Sequence, residues 1–137
     1  ALREEGIVAA LDKQAAALRA RYNIEVAASL EEMPDDLPLD VEEALYRIAQ
    51  EALHNTVKHA RATRVDLELD CDGSDLSLAI ADNGRGFDAG ESFPGHMGLH
   101  TMRERAERLG GSIALTSAPG EGTRIEVRIP VVEKSRP

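Results

Sequence analysis

Ile80-Ala81-Asp82-Asn83-Gly84-Arg85-Gly86-Phe87-Asp88 marks the decisive change of pattern in this chain, where an apolar run ends on a carboxylate and breaks into glycines. Leading into it, Leu76-Ser77-Leu78-Ala79-Ile80 alternates as a half-buried strand does, and Asp82-Asn83-Gly84 is turn chemistry that stops the run. A carboxylate is thereby held at a rigid strand end. Asp82 accepts hydrogen bonds there, while Gly84 and Gly86, lacking Cβ atoms, let backbone come close to whatever supplies the donor. An amino group on a flat ring would suit such a place. The same residues would equally make an ordinary hairpin turn, and the rest of the chain has to decide between the two.

Towards the N-terminus, Thr63–Asp72 alternates with Val65, Leu67, Leu69 and Cys71 on one face, and Asp72-Gly73-Ser74-Asp75 supplies a turn. The strand before that turn and the strand Leu76–Ala81 are therefore predicted to pair antiparallel. Upstream lies the strongest helical pattern. Asp40 followed by Glu43 is a capping-box type of start, and neither Gly nor Pro interrupts the run to its end near Ala60. At ~100° per residue, Val41, Leu45, Ile48, Ala49, Ala52, Thr56 and Ala60 gather on one broad face. Glu51, Asn55 and Lys58 form a polar stripe beside it, with His59 at the inner edge, an arrangement that lines a cleft. Arg47, Gln50 and His54 fall on the solvent side. Before this helix, Ile7–Arg21 reads as a helix starting after Gly6, Ile24–Leu30 as a strand suited to a sheet edge, and Glu31–Pro38 as a loop.

Towards the C-terminus, Phe87–Met97 has no periodicity and carries Gly90, Pro94 and Gly95, which reads as a mobile loop. Leu99, Met102, Ala106 and Leu109 recur at helical spacing and Gly110-Gly111 closes that helix. Ser112–Ala118 and Thr123–Val132 are two further strands joined by Pro119-Gly120-Glu121-Gly122. The order of elements predicts an α+β fold with the helices collected on one face of a mixed or antiparallel sheet.

The 137 residues suit one domain with a core that needs neither metal nor disulfide, and the single cysteine, Cys71, suits a buried thiol in a reducing compartment. No apolar stretch is long enough to cross a bilayer, and the start shows no signal-peptide pattern. A net charge of −9 argues against nucleic acid or an anionic membrane as partner. An anionic ligand would therefore need local cations, for which Lys58, His59, Arg61, Arg64, Arg85, Arg103, Arg105 and Arg108 are candidates, or a divalent ion. With two Tyr, two Phe and no Trp, base stacking on an aromatic platform is excluded.

Nine of the eleven glycines lie between Gly84 and Gly122, a crowding that suggests close backbone approach. Gly95-His96-Met97-Gly98 precedes the Leu99 helix, whose free amides and dipole would meet a phosphate, although most such loops are merely flexible. Glu51 and Asn55 are hard oxygen donors one helical turn apart, a partial shell for Mg²⁺ or else a solvated surface pair. His54, His59, His96 and His100 lack the Cys/His partners of a transition-metal site. No nucleophile elbow, Walker lysine loop or Rossmann spacing is present.

In conjunction, the run Gln50-Glu51-Ala52-Leu53-His54-Asn55-Thr56-Val57-Lys58-His59-Ala60, then Asp82-x-Gly84-x-Gly86, Gly95-x-x-Gly98-Leu99 and Gly120-x-Gly122-Thr123 resembles the asparagine box and glycine boxes of the ATP-binding domain of sensor histidine kinases. Gly98-Leu99-His100-Thr101-Met102-Arg103-Glu104-Arg105-Ala106 and Gly6-Ile7-Val8-Ala9-Ala10-Leu11 are most similar to the DesK/NarX-like class. The resemblance implies a two-layer Bergerat α/β sandwich of about five strands and about three helices. The domain would occupy residues 1–132, with 1–6 ending a linker and 133–137 a flexible tail. It implies ATP and Mg²⁺ as ligands, with Asn55 on the metal, Glu51 in its shell or ordering a water, and Lys58 and His59 facing the phosphates. Asp82 would take the adenine amino group, with Gly84 and Gly86 shaping that pocket. Gly95, Gly98 and Leu99 would meet the phosphates beside a lid from Ala89 to Met97, and Gly122 and Thr123 would complete the adenine side. The resemblance further implies a cytoplasmic kinase, a phosphoacceptor histidine in a separate dimerisation module, a response regulator as the later acceptor, and a monomeric domain in a homodimeric parent. These residues contain no such module, and none of the four histidines has its His-acid context, so none is expected to be phosphorylated. The alternative is a nucleotide-gated interaction switch of the anti-sigma or degenerate kind.

Overall fold

Alternation at period two and apolar recurrence at helical spacing become, in the computed structural model, three α-helices and five strands among the described residues, which are 2–33, 37–72, 74–86 and 96–131. In chain order these are α1 (Leu2–Tyr22), β1 (Glu25–Leu30), α2 (Leu39–Asn55), a π-helical turn (Thr56–Ala60), β2 (Arg64–Asp72), β3 (Asp75–Asp82), α3 (His96–Arg108), β4 (Ser112–Ser117) and β5 (Thr123–Pro130). The sheet runs β1-β2-β3-β5-β4. It is mixed, because β1 lies parallel to β2 while β2, β3, β5 and β4 are antiparallel in turn. The hairpin of β2 and β3 forms as the alternation predicts, with Val65 opposite Asp82 and Asp72 opposite Asp75. The sequence-derived order of elements and the α+β class hold.

One apolar layer explains the two-layer build. Val65, Leu67 and Leu69 of β2, Leu76, Leu78 and Ile80 of β3, and Ile125, Val127 and Ile129 of β5 share a cluster with Ile7 and Leu11 of α1, Leu45 and Ile48 of α2, and Met102 of α3. Leu45 and Ile48 have no exposed surface, and burial of each contributes ~1.5–3 kcal/mol relative to exposure. The opposite face of the sheet carries Glu68, Asp70, Ser77, Arg124, Glu126 and Arg128 around a shallow depression and stays with solvent.

Three boundaries differ from the sequence reading, each for a local reason. Helix α2 starts at Leu39 after Pro38, with no side-chain cap, so the expected capping box of Asp40 and Glu43 does not form. Asp40 lies instead within the first turn, where its charge meets the positive end of the helix dipole. Helix α1 begins at Leu2 but is broken at Gly6 (φ 83°, ψ 169°). The amide of Ile7 then donates to Glu42 Oε2 of α2 at 3.0 Å, so a neighbouring helix supplies the cap. Helix α3 begins at His96, earlier than Leu99, and stops as expected. Gly110 (φ 76°) donates to Glu107 and Gly111 to Ala106, the paired carbonyl closure that a left-handed glycine permits.

Candidate functional site

The inward face of the sheet changes character along one edge. In β3 the buried sequence Leu76, Leu78, Ile80 continues in phase to Asp82; in β5 Ile129, Val127 and Ile125 lead to Thr123; in β4 Ile113 and Leu115 lead to Ser117. Register places Asp82 opposite Thr123, and Thr123 opposite Ser117. Three polar side chains thus form a row across three strands where the apolar layer ends.

Asp82 is the most constrained of them. Its Oδ1 accepts the amide of Gly84 at 2.9 Å, an Asx-type closure that fixes the start of the following loop. Its Oδ2 lies 3.3 Å from the hydroxyl of Thr56, and the backbone N–H of Thr123 also donates to the carboxylate. Burial nevertheless dominates and raises its pKa above the ordinary carboxylate value, while these three donors pull the other way. Ionised Asp82 has ~4 lone-pair sites, so about one acceptor position is left for an outside donor. The neighbouring Asn83 anchors this strand end, because its Oδ1 accepts the amides of Thr63 (2.9 Å) and Arg64 (3.0 Å).

Thr56 joins α2 to that edge. It is the buried polar side chain of the described residues, and its hydroxyl lies 3.1 Å from the Ala52 carbonyl as well as 3.3 Å from Asp82. It opens the π-helical turn that follows α2, an irregularity frequent at functional sites. Asn55, the last residue of α2, is therefore one position from a side chain that touches Asp82. Glu51 lies one turn earlier on the same side of the helix. It lines a groove of about 330 Å³ between α2 and α3, with Arg47, Gln50 and His54 on its own helix and Thr101, Met102 and Arg105 across from it. The solvent side expected for Arg47, Gln50 and His54 is thus one wall of a groove. Lys58 is exposed, and the side chain of His59 lies outside the described residues.

The glycines act partly between loops. A Cβ on Gly86 (φ 64°) would lie 2.1 Å from the carbonyl oxygen of Ala118, and one on Gly122 (φ 77°) 2.1 Å from that of Asp82. These two residues let the loop after β3 and the turn before β5 touch backbone to backbone. Gly84 is buried beside them. Leu99 is buried. Because α3 starts at His96, its unpaired first-turn amides are those of His96, Met97 and Gly98. Gly95 and most of the expected lid, Ala89 to Met97, lie outside the described residues, as does the tail 133–137.

Sequence reasoning passed over Ser117 and the bond made by Thr56. The signal for Ser117 was present: Ile113-x-Leu115-x-Ser117 keeps a strict period of two, so the serine had to end the core face. Thr56 was placed on the buried face correctly, but nothing in one sequence pairs it with Asp82.

The oxygen donors available suit a hard cation shared with phosphate. Among the described residues no group of three or more His, Cys, Asp or Glu side chains could hold a metal by itself. Glu51 and Asn55, one helical turn apart on α2, could supply two oxygen ligands at most.

A half-buried carboxylate at a strand end, an asparagine at the end of the facing helix and a polar groove thus lie on the helix-covered side of a two-layer α/β sandwich. Residues 40–133 match the model of the family described as histidine kinase-, DNA gyrase B-, and HSP90-like ATPase. The sensor protein VraS of Staphylococcus epidermidis is 44% identical over 96 residues, covering 70% of this chain and 28% of that protein. The VraS of Staphylococcus aureus is 43% identical over 95 residues, 69% of this chain and 27% of the relative. The chain thus spans about a quarter of the length of these curated relatives. Among solved structures, the histidine kinase domain of the Erythrobacter litoralis EL346 blue-light activated histidine kinase superposes with a TM-score of 0.77 at 26% identity over 91% of this chain and 61% of that one. The ATP binding domain of PrrB from Mycobacterium tuberculosis gives 0.67 at 31% identity over 93% and 95%. The chain belongs to the histidine kinase-, DNA gyrase B-, and HSP90-like ATPase family, and within it to the sensor histidine kinase branch.

Proposed function

We propose that this chain is the ATP-binding catalytic domain of a two-component sensor histidine kinase. The observation that carries the reading is Asp82: a carboxylate fixed by three donors at the end of the core, its charge disfavoured by burial, with about one acceptor position left for the adenine amino group. Thr123 stands beside it, and Gly86 and Gly122 bring the enclosing loops together. Asn55, with Glu51 directly or through water, would hold Mg²⁺. Lys58, His59, Gly95, Gly98 and Leu99 would face the phosphates. Bound Mg-ATP supplies the transferable γ-phosphoryl group with its charge partly neutralised. The residues of the chain orient and desolvate it, which is most of what phosphoryl transfer asks of a protein.

The acceptor would be a histidine on the parent protein's own dimerisation module, with a response regulator aspartate receiving the phosphoryl group afterwards. No helix of the described residues is long and apolar enough to cross a membrane; the domain would lie on the cytoplasmic side of the parent. The parent would be a homodimer and this domain a monomer that contacts neither nucleic acid nor lipid.

Calorimetric titration with ADP, with and without magnesium, tests the first half, and transfer from ATP to a supplied helical phosphoacceptor module tests the second. Asn55→Ala is expected to abolish the magnesium-dependent part of binding and the transfer. Unchanged affinity and unchanged transfer in that variant would overturn its assignment.

A further inference from the structure

The groove between α2 and α3 has a direction. Thr56, the residue after α2, touches Asp82, so α2 ends at the row of Asp82, Thr123 and Ser117. Helix α3 ends at the other end of the sheet, because Gly110 and Gly111 lead into Ser112, which pairs with Arg128 towards the end of β5 remote from Thr123. The two helices therefore run antiparallel. The last residue of α2, Asn55, and the first turn of α3, which holds Gly98, stand at the same end of the groove. Arg47 is eight residues before Asn55 and Arg105 seven after Gly98, so at ~1.5 Å per residue both guanidinium-bearing positions lie ~10–12 Å from that end, one on each wall. His54 and Thr101 line the groove nearer Asn55, and the buried Met102 gives it an apolar lining. Among the described residues Arg64, Arg124 and Arg128 each reach a carboxylate, whereas Arg47 and Arg105 reach none, although Glu51 is one turn from Arg47. In a chain of net charge −9, this groove sets two permanent cations against one carboxylate.

We infer that Arg47 and Arg105 are positioning residues that clamp a carboxylate on the phosphoacceptor helix of the parent's dimerisation module, with that helix laid along the groove and its histidine at the Asn55 end. The inference rests on the proposed kinase reading, and adds to it the chemistry by which the acceptor helix is recognised. The one carboxylate of the groove, Glu51, is assigned to the magnesium shell in that reading, which leaves both guanidiniums to an outside partner. A planar guanidinium fork binds a carboxylate bidentately, and two forks on opposite walls hold one acid from both sides. The separation of ~10–12 Å corresponds to about seven or eight residues of helix, so the clamped acid stands two turns from the histidine, on the same face of its helix. A neutral or basic helix laid in the groove would desolvate the two cations without pairing them, so the sign of charge selects the partner as well as its register.

The test uses this chain with Mg-ATP as donor and, as acceptor, the full-length parent carrying Asn55→Ala, whose own domain then transfers nothing. Initial rates of histidine phosphorylation are measured against acceptor concentration, at low and high salt, for the wild-type donor, Arg47→Gln, Arg105→Gln and Arg105→Lys. The wild-type KM for the acceptor is expected to rise with salt. Each Gln variant should raise that KM about five- to tenfold at low salt and flatten its salt dependence, with kcat and calorimetric ADP affinity within about twofold of the wild type. Arg105→Lys, which keeps the charge and loses the fork, should recover part of the loss. Unchanged KM in both Gln variants overturns the inference. So does a wild-type KM indifferent to salt, a result that needs no variant to fold. A matching fall in ADP affinity would put the arginines at the nucleotide and overturn it equally. A wild-type donor that binds ADP but transfers nothing overturns the kinase reading and the clamp with it, an outcome distinct from normal transfer with an insensitive KM.

Discussion

The two faces of one sheet use polar side chains in opposite ways. On the open face, Arg64 pairs with Glu25 (3.4 Å) and Asp66 (3.0 Å), while Arg124 reaches Glu126 (3.3 Å) and Glu68 (4.0 Å). On the helix-facing side stand Asp82, Thr123 and Ser117, with one formal charge among them. The hydrogen bond from Arg64 to Asp66 is the main reason that the guanidinium pKa is raised, a change without consequence for a group already charged at neutral pH. Burial raises that of Asp82, which moves a carboxylate towards the range where its protonation matters. Number of charges therefore does not mark the site; burial combined with fixed geometry does. If this contrast is right, perturbations at the inner edge are large and those on the open face small.

The largest effect is expected where the inner edge depends on backbone contact. In Gly122→Ala the new methyl group would sit 2.1 Å from the Asp82 carbonyl oxygen at a residue with φ of 77°. Left-handed strain and forced displacement of a strand end together cost about 3 kcal/mol or more. Urea unfolding would show this as a fall in midpoint at constant slope, and a change below about 0.5 kcal/mol would mean that the two loops are not held as the structure has them.

Asp82→Asn comes next and separates binding from folding. The amide keeps an acceptor for Gly84 or Thr56 but loses the charge and places an NH₂ group where the base would donate. A hydrogen bond to a charged group contributes ~1.5–3 kcal/mol, so ADP affinity should fall about ten- to a hundredfold. Thermal stability should hold or rise, since a poorly solvated carboxylate has been removed. Loss of stability without loss of affinity would reverse the assigned role.

A weaker, diagnostic effect follows from pH. The raised pKa of Asp82 means that the native chain holds a proton that the unfolded chain has already released. Through the window from the ordinary carboxylate value up to the raised one, this group's contribution to stability falls as pH rises. Nucleotide binding runs the other way, because a donor from the ligand prefers the carboxylate; affinity should rise over the same window with release of a proton. Both slopes should flatten in Asp82→Asn when unfolding and calorimetry are repeated across mildly acidic pH. Parallel slopes in the wild type and the variant would assign the dependence to other groups.

Much of this contrast was legible before any coordinates. Period-two alternation in β2, β3 and β5 and helical recurrence in α2 and α3 identify the inward faces because burial against one layer leaves no other phase available. Asp82 was readable as a strand-end carboxylate, and Glu51 and Asn55 as one stripe. What could not be read were relations between segments distant in sequence: the pairing of β3 with β5 across α3, the reach of Thr56 to Asp82, and the cap that Glu42 lends to Ile7. The capping box failed for a similar reason, because Pro38 set the helix start one residue before Asp40 and the local motif had no place to act.

The smallest effect is expected on the open face, and it is the sharpest check of the contrast. Arg124 touches two carboxylates, yet its side chain is 46% exposed and those of Glu68 and Glu126 are 53% and 34% exposed. Water screens each pair and the long side chains lose rotamer freedom in holding them, so exposed pairs of this kind contribute ~0–1 kcal/mol. Arg124→Gln preserves the stem that lies along the strand and removes only the charge. Its stability should change by less than about 0.5 kcal/mol, with the difference shrinking further in high salt, and its ADP affinity should match that of the wild type. The backbone of Arg124 pairs with Ala81, one residue from Asp82, so it is close to the inner edge in sequence and register but on the other side of the sheet. A loss of nucleotide affinity in Arg124→Gln comparable to that in Asp82→Asn would show that the two faces communicate through the strand, and the separation of a working face from a merely solvated one would fail.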